Sequence, residues 1–100
     1  MKRSVYKYPI EIDDTQTLIL PRGAEILSVI NQFEEVCIYA LVDTETDETE
    51  KYSLQCYGTG HTIRHDSSYK FLGTVSMYSG HFVIHVFYKK LWCRTQEKSW

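Results

Sequence analysis

Apolar and polar residues alternate along most of the chain with a period of two, the pattern of half-buried β-strands. From Ser4 to Ile12 the alternation places Tyr6, Tyr8, Ile10 and Ile12 on one face, and Pro9, which has no N–H to give a ladder, assigns the strand to a sheet edge. Asp13-Asp14 marks a turn. A second strand over Thr15–Leu20 is stopped by Pro21-Arg22-Gly23, where proline fixes one dihedral and glycine permits another. A third strand over Ala24–Ile30 and a fourth over Glu35–Asp43 follow. Asn31-Gln32-Phe33-Glu34 must join them as a short hairpin loop without glycine. Lys51–Tyr57 makes a fifth strand, ended by Gly58-Thr59-Gly60-His61 and followed by a loop through Arg64, Asp66, Ser67 and Ser68. Tyr69–Tyr78 and His81–Lys89 form the last pair around a Ser79-Gly80 turn. In the final strand His81, Val83, His85 and Phe87 share one face and Phe82, Ile84, Val86 and Tyr88 the other. Both faces are largely apolar, which predicts a central strand.

Only Ala24–Phe33 offers a competing helical period, through Ile26, Leu27, Ile30 and Phe33. Its β-branched content and the paired strand after it favour the extended reading. The predicted fold is all-β, a single antiparallel sandwich or small barrel of about seven short strands. One domain over residues 1–90 accounts for the 100-residue length, followed by a C-terminal tail over 91–100 that matches neither period. Trp92 and Trp100 in that tail must dock on the body or meet another chain, a route to a homo-oligomer.

The widest uncharged stretch, Phe71–Tyr88, is broken by Gly73, Ser76, Ser79, Gly80 and two histidines, unlike a membrane helix. The amino terminus alternates instead of forming a signal-peptide apolar segment, and the expectation is a soluble, cytoplasmic protein without membrane contact. Cysteine usage agrees with a reducing compartment. Cys37, Cys56 and Cys93 are odd in number and form no CxxC pair, and the first two lie in predicted strands, where a free cysteine is a small buried hydrophobe.

The net charge of −2 conceals an asymmetry. Residues 1–50 hold four basic and eleven acidic side chains, a net −7, whereas residues 51–100 hold seven basic and two acidic, a net +5. Five of the acids fall within residues 43–50, which therefore read as a solvated, self-repelling and mobile hairpin tip. All four histidines, His61, His65, His81 and His85, lie in the second half.

Five separated motifs occur together: Tyr6-Lys7-Tyr8-Pro9-Ile10, Leu20-Pro21-Arg22-Gly23-Ala24-Glu25-Ile26-Leu27-Ser28-Val29, Ala40-Leu41-Val42-Asp43, Gly58-Thr59-Gly60-His61 and Phe82-Val83-Ile84-His85-Val86-Phe87. In this order they resemble a family of small uncharacterised proteins of tailed phages and their bacterial hosts, classed as a domain of unknown function. The resemblance covers residues 4–88 and implies a compact β domain in a phage or prophage setting. It implies no reaction.

Gly58-Thr59-Gly60-His61 is the leading candidate site. Two glycines around a threonine allow backbone amides to converge on an anion, and His61 with Arg64 would add charge-assisted bonds to a phosphate. Lys70 and His85 complete the candidate ligand-binding set. The histidine pairs do not read as a metal site, because on a strand residues four apart lie about 13 Å from each other. Metal bonds are ~2 Å long, so an ion would need one histidine from each pair, with Cys56 or Asp66 completing the set. No metal or other cofactor is expected, and His85 reads as a satisfied histidine within the sheet. Catalysis lacks a complete constellation as well: Cys56 and His61 are too far apart on an extended strand, and His65-Asp66-Ser67 is half of a paired phosphodiesterase pattern.

Net negative charge disfavours a nucleic-acid polymer as partner, whereas a small anionic ligand needs only a local basic pocket. The expected function is a non-enzymatic, phage-type binding protein, in its concrete form a sponge that sequesters a small phosphorylated nucleotide immune signal and so counters host defence. The competing expectation is a protein–protein inhibitor or virion accessory module that contacts a host protein through the acidic segment 43–50 or the tryptophan tail.

Overall fold

The structure, a computed structural model, describes residues 2–13, 15–64 and 66–93, without the side chains of Trp92 and Cys93. Among these residues seven strands carry the fold: β1 (Arg3–Pro9), β2 (Thr15–Pro21), β3 (Glu25–Gln32), β4 (Glu35–Asp43), β5 (Thr49–Gly58), β6 (Lys70–Met77) and β7 (Phe82–Cys93). They form two antiparallel sheets, β1-β4-β3 and β2-β5-β7-β6, packed as a sandwich that does not close into a barrel. The segment with a competing helical period is strand β3. No helix is long and apolar enough to cross a membrane among the described residues.

Alternation puts Val36, Ile38, Ala40 and Val42 of β4 against Tyr52, Leu54 and Cys56 of β5, with Leu20, Val75, Met77, Ile84 and Val86 filling the core around them. Each fully buried Leu or Ile contributes about 1.5–3 kcal/mol relative to exposure. Cys37 and Cys56 are free and buried, and burial in apolar surroundings pushes the Cys37 thiol pKa up. Strand β1 is a sheet edge, as Pro9 requires, and β7 is central, as its two apolar faces require. Gly73 fits where a Cβ would come within 2.9 Å of Val29 Cγ1, so glycine lets β6 close on β3 of the other sheet.

The β3–β4 hairpin turns through Phe33 (φ 57°) and Glu34 (φ 62°), with Gln32 opposite Glu35. Positive φ at both central residues is the type I′ geometry that suits strand twist, reached here without glycine. Asn31 supports it, its Oδ1 accepting the Glu34 amide hydrogen at 2.8 Å and its Nδ2 donating to the Ser76 carbonyl at 2.9 Å. The Glu34 carboxylate in turn accepts from the Tyr78 amide at 2.9 Å, which ties this hairpin to the β6–β7 turn.

Two expectations are corrected. The acidic segment 43–50 is no hairpin tip, since β4 and β5 belong to different sheets and the segment crosses between them. Nor is it solvated throughout: Glu50 belongs to β5 and is 2% exposed. Its carboxylate is held by Lys90 Nζ at 2.8 Å, by the Tyr52 hydroxyl at 3.1 Å and by the Gly23 amide. Glu48 pairs with Arg22 at 2.7 Å. Strand β7 also runs beyond Lys89 to Cys93. Its register slips at Leu91, where Lys51 faces Trp92 and Tyr52 faces Lys90, and this bulge breaks the alternation. Trp100, the remainder of the tail from 94, and the Trp92 and Cys93 side chains lie outside the described residues, as does His65.

Candidate functional site

Strands β5 and β6 both pair antiparallel with β7, so they run parallel to each other and cannot be joined by a tight turn. Gly58 ends β5 opposite Ile84, whereas Lys70 opens β6 opposite Tyr88. The 59–69 connection must therefore travel back along the strands, and it does so over the outer face of the larger sheet. Under it Ser53 and Tyr57, both pointing away from the core, are each only 8% exposed.

A polar chain fastens the loop to β5. Ser53 Oγ and the Tyr69 hydroxyl are 2.7 Å apart, Gln55 Nε2 donates to the same hydroxyl at 3.5 Å, the Tyr57 hydroxyl donates to Gln55 Oε1 at 3.0 Å, and the Arg64 amide donates to the Tyr57 oxygen at 3.3 Å. Asp66 closes the far end by accepting from the Ser68 amide at 2.9 Å and from the Ser68 hydroxyl. Successive outward residues of β5 thus each hold part of the loop.

Two adjoining depressions result. The larger, about 990 Å³, is polar and includes Gln55, His61, Arg64, Asp66, Tyr69 and Lys89 in its walls. Lys89 Nζ stands 5.6 Å from the centre of the Tyr69 ring, a cation–π contact that holds the ammonium over the cleft. The smaller, about 270 Å³, is apolar and is bounded by Ile63, Phe71, Phe87 and Tyr57. Tyr57, Gly60 and His61 belong to both and form the shared wall. Phe87 sits edge-on to Tyr57 at 6.0 Å and to Phe71 at 5.4 Å, giving an aromatic row across β5, β7 and β6.

Of the sequence candidates, Gly60, His61 and Arg64 meet at the polar cleft, and Gly58, Thr59 and His85 join Gly60 and His61 at the apolar one. Lys70 joins neither, because its register partner Tyr88 faces the core while Phe71 and Phe87 face outward. The Gly58–His61 segment is a β-turn closed by the His61 amide on the Gly58 carbonyl at 3.1 Å, with Gly60 at φ 88° as a type II turn demands. The Gly58 amide is bound to His61 Nδ1 at 3.2 Å. Two amides of the turn are therefore engaged inside it, and its contribution is to place the imidazole. His85 is a satisfied histidine, with Nε2 2.9 Å from Thr59 Oγ1 and Nδ1 3.0 Å from Thr74 Oγ1. Cys56 points into the core, on the opposite side of β5 from His61, so neither a thiol–imidazole pair nor a shared metal site assembles. No group of three His, Cys, Asp or Glu side chains suited to a metal occurs among the described residues.

Sequence reasoning missed Gln55, Tyr57, Tyr69, Phe71, Phe87 and Lys89. The available signal was parity: residues 53, 55 and 57 of β5 share a face with 85, 87 and 89 of β7.

Fold and site together define a two-sheet antiparallel β domain with its cavities on an outer sheet face, under a crossover loop. The chain belongs to a family defined by a domain of unknown function, DUF7352, whose model matches residues 1–94. No curated protein and no solved structure matches it.

Proposed function

We propose that the protein is a non-enzymatic binding protein whose cleft beneath the 59–69 loop takes a small phosphorylated ligand. The observation that carries this reading is the convergence of Arg64, Lys89 and His61 on one polar cleft, in which the one acid among the described wall residues, Asp66, is already bonded to Ser68. Cationic and imidazole donors lining one cleft are the groups that hold phosphate oxygens through charge-assisted bonds. Among the described wall residues Asp66 bonds Ser68 and His61 Nδ1 takes the Gly58 amide hydrogen, an arrangement that favours capture over turnover.

In a phage or prophage setting, capture without turnover would serve to sequester a nucleotide signal in the host cytoplasm and blunt host defence. Calorimetry of the full chain against a panel of linear and cyclic nucleotides tests the reading. Binding of at least one at micromolar affinity supports it, and absence of heat with every nucleotide, from protein shown folded by circular dichroism, overturns it.

A further inference from the structure

In the aromatic row beside the cleft, Tyr57 is buried beneath the loop that its hydroxyl helps to hold, whereas the ring at the other end, Phe71, is open to solvent. Tyr57, Phe87 and Phe71 project from the outer face of the sheet, away from the core that the opposite faces of the same strands build. Phe71 remains 57% exposed in spite of its contact with Phe87. Aromatic rings on a sheet surface at the edge of a cationic cleft are the elements with which proteins stack nucleobases while binding their phosphates. The chemistry of the two depressions differs sharply, yet one wall, Tyr57 with Gly60 and His61, serves both. A single ligand with an apolar flat end and an anionic end can therefore occupy them together.

We infer that the ligand is a mononucleotide: one nucleobase lies against the Phe71–Phe87–Tyr57 row in the apolar depression, and its phosphate reaches Arg64 and Lys89 in the adjoining cleft. This rests on the proposed phosphate-binding reading and adds the base and its number. The apolar depression, about 270 Å³, is at the low end of ligand pockets, which run from about 300 to 1,000 Å³, and takes one ring system. A second base would have to enter the polar cleft and displace the phosphate from its donors. Thr59, whose hydroxyl bonds the His85 ring, also lines the base site, and the remaining capacity of that hydroxyl is available to a base edge.

The experiment is calorimetry of the full chain with the four ribonucleoside 5′-monophosphates, ribose 5-phosphate and one cyclic dinucleotide, repeated on Phe71→Ala and Arg64→Gln. Phe71 and Arg64 are exposed, so both variants should fold, which circular dichroism checks. The expected result is that one monophosphate binds at least about tenfold more tightly than ribose 5-phosphate, the scale of a base–aromatic stack. Phe71→Ala should lower the nucleotide affinity about tenfold and leave ribose 5-phosphate unchanged, whereas Arg64→Gln should weaken both. Equal affinity for nucleotide and ribose 5-phosphate, or no effect of Phe71→Ala, overturns the base platform while leaving the phosphate reading standing. A cyclic dinucleotide that binds more tightly than every monophosphate overturns the one-base assignment. Failure of all the probes to bind removes the phosphate reading and this inference with it.

Discussion

The imidazole of His61 lies over Gly58, its Nδ1 accepting the Gly58 amide hydrogen at 3.2 Å, so close that a Cβ at position 58 would stand 2.9 Å from Cε1. Glycine is required there for space, since Gly58 has no positive φ, unlike Gly60. With Nδ1 accepting, the neutral ring carries its proton on Nε2, and that N–H is the donor the ring can offer a ligand. Gly58→Ala should therefore expel the ring from its place without unfolding the domain. The expected outcome is a change in the His61 ring-nitrogen chemical shifts, a stability loss within about 1 kcal/mol, and weaker binding of any phosphorylated ligand. Unchanged ring shifts in the variant would disprove the assignment.

The contrast between Gly58 and Phe71 shows what the sequence made legible. Two glycines at the end of a strand announce a turn, as Gly58 and Gly60 do, whereas the single Gly73 stands inside β6. Phe87 could not be assigned to the outer face, because β7 is central and apolar on both sides, so alternation distinguishes its faces without saying which is inside, and Phe71 of β6 takes its face from its pairing with Phe87. Register bulges at Leu27, Leu72 and Leu91 compound this, each moving the following side chains to the other face. Strand positions survived these slips because propensity is local. Sheet membership did not, because a polar crossing such as 44–48 and a hairpin turn have the same composition, and only the long-range pairing of β4 with β1 and β5 with β2 separates them.

Tyr57 links strand and loop, giving its hydroxyl hydrogen to Gln55 Oε1 and taking the Arg64 amide hydrogen. Tyr57→Phe keeps the ring in the aromatic row and removes both bonds. Each is worth about 0.5–1.5 kcal/mol net, and the loss should appear locally: hydrogen exchange at the Arg64 amide accelerates, with a small fall in Tm. Exchange at Arg64 as slow as in the parent would show that something other than this hydroxyl holds the loop.

Phe33 is 93% exposed and held at φ 57° in the type I′ turn, a conformation that costs most side chains free energy and suits asparagine. Phe33→Asn should stabilise the protein by about 0.5–1 kcal/mol, a rise of a few degrees in Tm. Glu34→Gly should do the reverse in spite of its better local propensity, because the Glu34 carboxylate accepts from Asn31 Nδ2 at 3.2 Å and from the Tyr78 amide at 2.9 Å. Thermal denaturation of the two variants side by side decides between turn propensity and this bridge, and a stabilised Glu34→Gly would show the bridge to be unimportant.

Glu50 sets an acid limit on the fold. Burial alone would raise its pKa, but the hydrogen bonds from Lys90, the Gly23 amide and the Tyr52 hydroxyl, with the Lys90 charge, hold it below the ordinary value. The same neighbourhood, through burial and the adjacent carboxylate, pushes the Tyr52 hydroxyl pKa well up, so Tyr52 stays a donor. A carboxyl that titrates lower when folded stabilises the native state above the unfolded value of about 4.3 and loses that contribution as pH falls through the folded value. Glu50→Gln should therefore flatten the decline in stability between about pH 5 and pH 3, and its neutral-pH cost should be roughly 1–3 kcal/mol for breaking a buried charged network. Lys90→Met leaves the carboxylate buried with two neutral donors, so its folded pKa rises toward the unfolded value and this group's share of the acid decline shrinks, as in Glu50→Gln. Half of the Lys90 side chain is exposed, which screens the pair and limits the neutral-pH loss to about 1 kcal/mol. Urea denaturation across this pH range measures all three proteins. A Glu50→Gln variant whose stability falls as steeply as the parent's would place the acid limit on another carboxylate.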